Sequence, residues 1–183
     1  MDAAAGDRVR CGHSTRVSLV LAAAAVIFIS MIAEAVVSAR HERRLRAVGA
    51  FEPEGDVYAA MQLAYPGAFL VMLAEGAWRV PLPVRLVVAG AVLLVAAKAL
   101  KYWAIASLGE RWTFRVLVPP HSTRIVRGPY RWVRHPNYLA VVGELAATAI
   151  AMKAVRTAPF AVGGFLLLMW RRIRVEEKAL ARG

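Results

Sequence analysis

The chain contains one cysteine, Cys11, and three aspartates, Asp2, Asp7 and Asp56. A single thiol excludes an internal disulfide and leaves a cysteine-based zinc site without partners; Cys11 is expected to be an ordinary tail thiol. With no aspartate in the apolar segments, a Ser-His-Asp triad is hard to assemble. None of the 13 glycines stand as G-x-G, so a dinucleotide fingerprint is missing, and so is a Walker loop. His41-Glu42 does not extend into H-E-x-x-H, and the other histidines lack ligand spacing, so no metal is expected. No repeat of roughly 20–50 residues is present. Acids are scarce overall: 12 Asp and Glu stand against 24 Lys and Arg, a net charge of +12.

What the chain has in excess is apolar residues, 59% of its 183, with a mean hydropathy of +0.50. A disordered basic tail would have far fewer, and a soluble domain would be nearer half apolar. The residues fall into five apolar segments, 17–39, 61–78, 84–108, 138–152 and 157–170. The first, Val17–Ala39, has 23 residues and one charge. At ~1.5 Å per residue it reaches roughly 35 Å, enough for a tilted membrane crossing. Lys98, Lys101, Tyr102 and Trp103 are expected to mark the exit of the third segment from lipid. The last two segments are short, are joined tightly through Lys153 and Arg156, and read as a helical hairpin. The expected fold is an all-α integral membrane protein of about five transmembrane helices, one domain over residues 1–183.

Charge placement orients it. Counting Lys and Arg on alternate sides of the five segments puts 17 of 24 on one side. By the positive-inside rule, the long 109–137 stretch and the 171–183 tail then face the cytoplasm, and the N-terminus lies outside. A nucleic-acid protein would gather its bases on one face instead of alternating them with apolar runs. Nucleic acid is therefore not an expected partner. The membrane is, and a multi-pass protein of a bacterial inner membrane is the expected location.

Two polar clusters flank the final hairpin. Arg127-Gly-Pro-Tyr-Arg-Trp-Val-Arg-His-Pro-Asn-Tyr138 places Pro136 in the first turn of the fourth helix. His135 then sits at a helix N-terminus, whose free N–H groups attract an anion; the plainer reading is an interfacial anchor of Tyr, Trp and Arg. Arg171-Arg-Ile-Arg-Val-Glu-Glu177 would, on a continued helix, put Arg172 beside Glu176 and Arg174 beside Glu177. Surface salt bridges are the plain alternative, but arginine before glutamate is the weaker order, and acids near a helix C-terminus oppose its dipole. Among acids within apolar segments, Glu34 and Glu75 are near enough to segment ends to reach the interface. Glu144 lies mid-segment, where an unpaired acid costs roughly 3 kcal/mol, and it shares a face with Asn137 and Thr148. Gly143, Gly163 and Gly164 are expected to let helices approach closely.

The run R-G-P-Y-R-x-x-R-H-P-N-Y, then a hairpin, then R-I-R-x-E-E resembles the isoprenylcysteine carboxyl methyltransferase family, strongly over Leu108–Leu180. The upstream R-H-E-R-R-L-R-x-x-G-A and LGERWTFRV runs resemble its small bacterial branch. The resemblance implies S-adenosylmethionine as cofactor, bound by Gly128, Tyr130, His135, Pro136, Tyr138 and Glu177. It implies that Arg172 and Glu176 stand beside the reacting groups. Small bacterial members resemble enzymes that O-methylate alkylpyrones or alkylresorcinols made by type III polyketide synthases, so a lipidic hydroxyl acceptor and a functional link to such a synthase are expected. A hydroxyl, unlike a carboxylate, needs a base, for which Glu144 is a candidate. The alternatives are a prenylcysteine carboxyl acceptor, a non-catalytic basic protein binding anionic lipid, and a nicotinamide-dependent reductase of the sterol type. The Ala- and Arg-rich composition suggests a high-GC bacterium, where prenylcysteine proteins are unexpected.

Overall fold

The computed structural model describes residues 3–78, 82–120 and 125–180, with side chains from 17 to 178. The side chain of Cys11 and the residues Arg79, Arg124, Arg182 and Gly183 lie outside the described set. The described residues form five α-helices: α1 Ala3–Ala47, α2 Tyr58–Trp78, α3 Val84–Leu108, α4 Pro136–Ala151 and α5 Thr157–Leu180. Two short 3₁₀ turns, Gly109–Arg111 and Gly128–Arg131, interrupt the long polar stretch between α3 and α4. No strand occurs among the described residues beyond one isolated bridge, Phe51 with Val118.

The five expected segments are five helices, with shifted ends. α3 has the expected bounds. α1 runs on past the end of the first apolar segment at Ala39 through Arg40, Arg43, Arg44 and Arg46. α5 continues through the whole second polar cluster, because nothing between Trp170 and Leu180 breaks a helix. Over Val17–Ala47, α1 is long and apolar enough to cross a membrane, and only 11% of its most apolar window is buried by the rest of the chain. The structure thus supports one crossing directly, not five. α4, at 16 residues, reaches only about 24 Å.

The last two helices are joined tightly at residues 152–156, where Lys153 takes a positive φ of 49°. α4 nevertheless lies chiefly along α3, and α5 along α2. The glycines explain the first pairing. A Cβ on Gly90 would stand 2.6 Å from the Ala147 carbonyl, and one on Gly143 would stand 3.0 Å from the Ala97 Cβ. Gly163 and Gly164 face open space, so the expectation that they bring helices together is corrected. α2 and α5 pack instead through Phe69, Met72, Leu73 and Phe165, joined by Leu145 of α4 and Ile27 of α1.

Three charged side chains expected at the interface, Glu34, Lys98 and Lys101, are inside, together with the mid-segment Glu144. Glu34 of α1 and Glu144 of α4 bracket Lys98 and Lys101 of α3. Lys98 Nζ is 2.9 Å from Glu34 and 3.2 Å from Glu144; Lys101 Nζ is 2.5 Å and 3.3 Å from the same two residues. Lys98 and Lys101 point into the bundle because two carboxylates await them there, which removes them from the 17 cations assigned to the cytoplasmic side. Glu75 is also buried. It accepts hydrogen bonds from the N–H groups of Arg156 and Thr157 at 3.2 and 2.8 Å and from the Thr157 hydroxyl at 2.7 Å. A carboxylate there satisfies free donors and opposes the positive end of the α5 dipole.

Gly90→Val is expected to destabilise the protein by the ~1–3 kcal/mol typical of overpacking, and so to lower the thermal unfolding temperature. Gly163→Ala in open helix should raise it slightly, since Ala is ~1 kcal/mol the better helix residue. Opposite shifts in detergent-solubilised protein would confirm which glycines are packing contacts.

Candidate active site

A cavity of about 820 Å³ opens at one end of the bundle, bordered by α1, α2, α4, α5 and the strap 111–119 that follows α3. Its size is within the range of about 300–1,000 Å³ usual for small-molecule sites. The strap closes over it because α1 holds it. His41 Nδ1 donates to the Trp112 carbonyl at 2.8 Å, the Phe114 N–H donates to the Ser38 hydroxyl at 2.8 Å, and the bridge to Phe51 fixes Val118. Pro66 inside α2 lacks the N–H that would bond the Gln62 carbonyl, and both residues border the cavity.

Arg172 is the node of this site, only 6% exposed. Its Nε donates to the Tyr138 hydroxyl at 3.0 Å, and its guanidinium also donates to the Phe114 carbonyl. Asp56 stands 3.6 Å from Nη1 and accepts from the Val116 N–H at 3.2 Å. Tyr138 in turn donates to Glu176 at 3.0 Å. Arg172 and Glu176, one turn apart on α5, are therefore linked through the phenol of α4. Arg174 does not join Glu177 as expected: it stacks on Trp170 at 3.9 Å, while Glu177 faces Arg134 and His135, each at 3.6 Å. His135 caps α4 and stacks on Tyr138, ring centroids 5.4 Å apart.

Of the residues expected to form the site, Tyr130, His135, Tyr138, Arg172, Glu176 and Glu177 border this one cavity. Three do not. Pro136 is buried in the first turn of α4 and starts the helix. Gly128 has φ +59° and lies so close to Ser107 that a Cβ would meet its hydroxyl at 2.0 Å, so it shapes the turn behind the site. Glu144 is buried in the ion cluster and reaches the cavity only through Tyr65 and Lys101, which do border it. Asn137 borders the cavity from the same face as Glu144. The strap lies in the 109–137 stretch expected to carry part of the site, whereas Asp56 and Tyr65 were not singled out, because their roles arise from contacts 36 or more residues away in sequence. A lone aspartate between Gly55 and an apolar helix was the one available sign.

Two buried polar atoms on the cavity wall have no hydrogen-bond partner among the described residues, Asn137 Oδ1 and Trp112 Nε1. Orphans of this kind suit a polar ligand. The carboxylates of Glu176 and Glu177, next to the Tyr138 and Tyr130 rings, suit a cationic one.

A family model for the isoprenylcysteine carboxyl methyltransferase (ICMT) family matches residues 90–182, which hold α3 from Gly90, the strap, α4 and α5. The chain belongs to this family. It is also similar to an uncharacterized protein, YpbQ, of Bacillus subtilis (strain 168), with 30% identity over 85% of this chain and 93% of the relative. An uncharacterized protein of Haemophilus influenzae is 27% identical over 79% of this chain and 85% of its own. No solved structure matches. Isoprenylcysteine carboxyl methyltransferases are membrane-associated and use S-adenosylmethionine, so membership implies methyl transfer as the chemistry and agrees with the apolar α1.

The Tyr130 phenol is pushed above its ordinary value, first by burial and then by the negative charge of Glu176. Its ionisation in the unfolded chain near pH 10 therefore draws the protein toward unfolding. Stability is expected to be intact below about pH 10 and to fall above it, less steeply in Tyr130→Phe, as read by thermal unfolding across about pH 9–11.

Proposed function

We propose that this protein is an S-adenosylmethionine-dependent O-methyltransferase of the membrane, acting on a hydroxyl of a lipidic substrate such as an alkylpyrone or alkylresorcinol. The observation that carries the reading is convergence: family membership and six motif residues meet at one cavity whose far wall is apolar. The cofactor supplies a methyl group on a cationic sulfur. Glu176 and Glu177, with the aromatic faces of Tyr130, Tyr138 and His135, are the groups proposed to hold that cation. Arg172 is proposed to hold the acceptor oxygen, through charge-assisted bonds worth about 1.5–3 kcal/mol. Held by Tyr138, Phe114 and Asp56, its guanidinium is oriented before any ligand arrives. Such orientation and exclusion of water are where a methyl transfer gains most.

The apolar wall supports a lipidic acceptor. Phe28, Met31 and Ile32 of α1 border the cavity along the stretch of that helix apolar enough for a membrane. Exposed Leu63, Val88, Val92, Val95 and Leu167 on α2, α3 and α5 support a multi-pass placement, and the positive-inside rule favours the basic tail and strap toward the cytoplasm. A hydroxyl acceptor must lose a proton, and Glu144 is the carboxylate proposed to take it. A type III polyketide synthase is the proposed source of the substrate.

Calorimetry on the protein in detergent or lipid tests the cofactor: saturable binding of S-adenosylmethionine is expected, and none would overturn the reading. Arg172→Ala and Glu176→Gln should each reduce turnover by ~10²-fold or more with the fold retained by circular dichroism. Near-normal rates in both would remove these two residues from the site.

A further inference from the structure

Glu144 has the right chemistry for a base but no access. It is 1% exposed and does not border the cavity. What lies between is Tyr65. Tyr65 borders the cavity, and its hydroxyl donates to Glu144 Oε2 at 2.6 Å while accepting from Lys101 Nζ at 3.4 Å. The ring is fixed by Phe69 and Phe165, with centroids 5.0 and 5.3 Å away. We propose that Tyr65 is the residue that relays the acceptor's proton to Glu144, and that the Glu34–Lys98–Lys101–Glu144 quartet is the buried reservoir that takes it. This rests on the hydroxyl-acceptor reading above.

The step balances. The acceptor O–H bond breaks and its proton passes to the Tyr65 oxygen as Tyr65's own proton moves to Glu144. The freed oxygen pair forms the bond to the methyl carbon, and the carbon–sulfur electrons remain on sulfur. When product leaves, water entering the cavity collects the proton through Tyr65 in the reverse direction. Electrostatics favour this arrangement. The quartet has two carboxylates and two ammonium groups, a formal charge of zero, and one added proton makes it +1. That positive charge appears as the one on sulfur disappears, so the total inside the apolar bundle does not change. The cost of creating a new buried charge is thereby avoided. The groups facing the relay are Lys101 and Lys98 from α3, Glu34 from α1, and Glu144 itself from α4; Tyr102 of α3 lies against Lys98. Among the described residues, α2 and α5 contribute the aromatic rings of Phe69 and Phe165 that hold Tyr65.

Tyr65→Phe tests the relay, because it keeps the ring packing and removes one oxygen. The full chain, in lipid nanodiscs at neutral pH with saturating S-adenosylmethionine, would be assayed on two probes. A 5-alkylresorcinol arrives protonated, whereas a 6-alkyl-4-hydroxy-2-pyrone is already largely ionised. Turnover on the resorcinol is expected to fall ~10²-fold, and on the pyrone by less than about threefold, as befits loss of a general base. Raising the pH should restore the variant's resorcinol rate, and S-adenosylhomocysteine affinity should not move. Equal losses on both probes, or no loss on either, would overturn the relay while leaving the methyltransferase reading intact. Wild type that methylates the pyrone alone would also overturn it, since no proton acceptor is then required. Wild type inert toward both hydroxyls but active on a prenylcysteine carboxylate would sink the acceptor reading and the relay together.

Discussion

Two carboxylates and two ammonium groups neutralise one another where α1, α3 and α4 meet, and the rest of the bundle is arranged around that meeting. None of the four could be buried alone: removing one partner of such a cluster typically costs about 3–5 kcal/mol. The quartet therefore fixes the rotation of three helices at once. Glu34 turns one face of α1 inward, and that face carries Ser38 and His41 one and two turns further on. Those two side chains hold the strap, and the strap carbonyl of Phe114 holds Arg172. An ion cluster in the apolar interior is thus connected, contact by contact, to the buried guanidinium that lines the cavity.

The same physics organises the other helix ends. Glu75 satisfies the exposed donors at the start of α5, which places α5 against α2 and carries Arg172 and Glu176 to the cavity. His135 and Pro136 start α4, so that Tyr138 emerges one turn later between Arg172 and Glu176. The result is a site with its cations and acids in fixed places before a ligand enters. Preorganisation of that kind is the main resource of an enzyme whose chemistry is supplied by a cofactor.

Much of this was legible along the chain, and the rest was not for identifiable reasons. The five helices were visible from apolar run length, and α3 was delimited to the residue. Arg172, Glu176, His135 and Tyr138 were marked by their motifs. Lys98 and Lys101 were misread, because cations three apart near the end of an apolar run look like an interfacial girdle unless their partners are known. Those partners, Glu34 and Glu144, are more than 40 residues away on opposite sides. Gly143, Gly163 and Gly164 all looked like packing residues on composition, yet only Gly143 of the three is a close contact, and Gly90, set between Ala89 and Ala91 in an apolar run, is another. A glycine shows what a helix permits, and only the neighbouring helix shows whether the permission is used.

With only 12 acidic residues, the sequence by itself determined that buried cations would have few possible partners, that the chain is helical and apolar, and that two motif clusters frame its last two helices. These are local properties, set by residue type and spacing. Which acid meets which base, that Tyr65 stands between Glu144 and the cavity, and that Asp56 steadies Arg172 were decided only by tertiary structure. Pairing of charges depends on distance in space, which falls off on an ångström scale and carries no trace in the order of the chain.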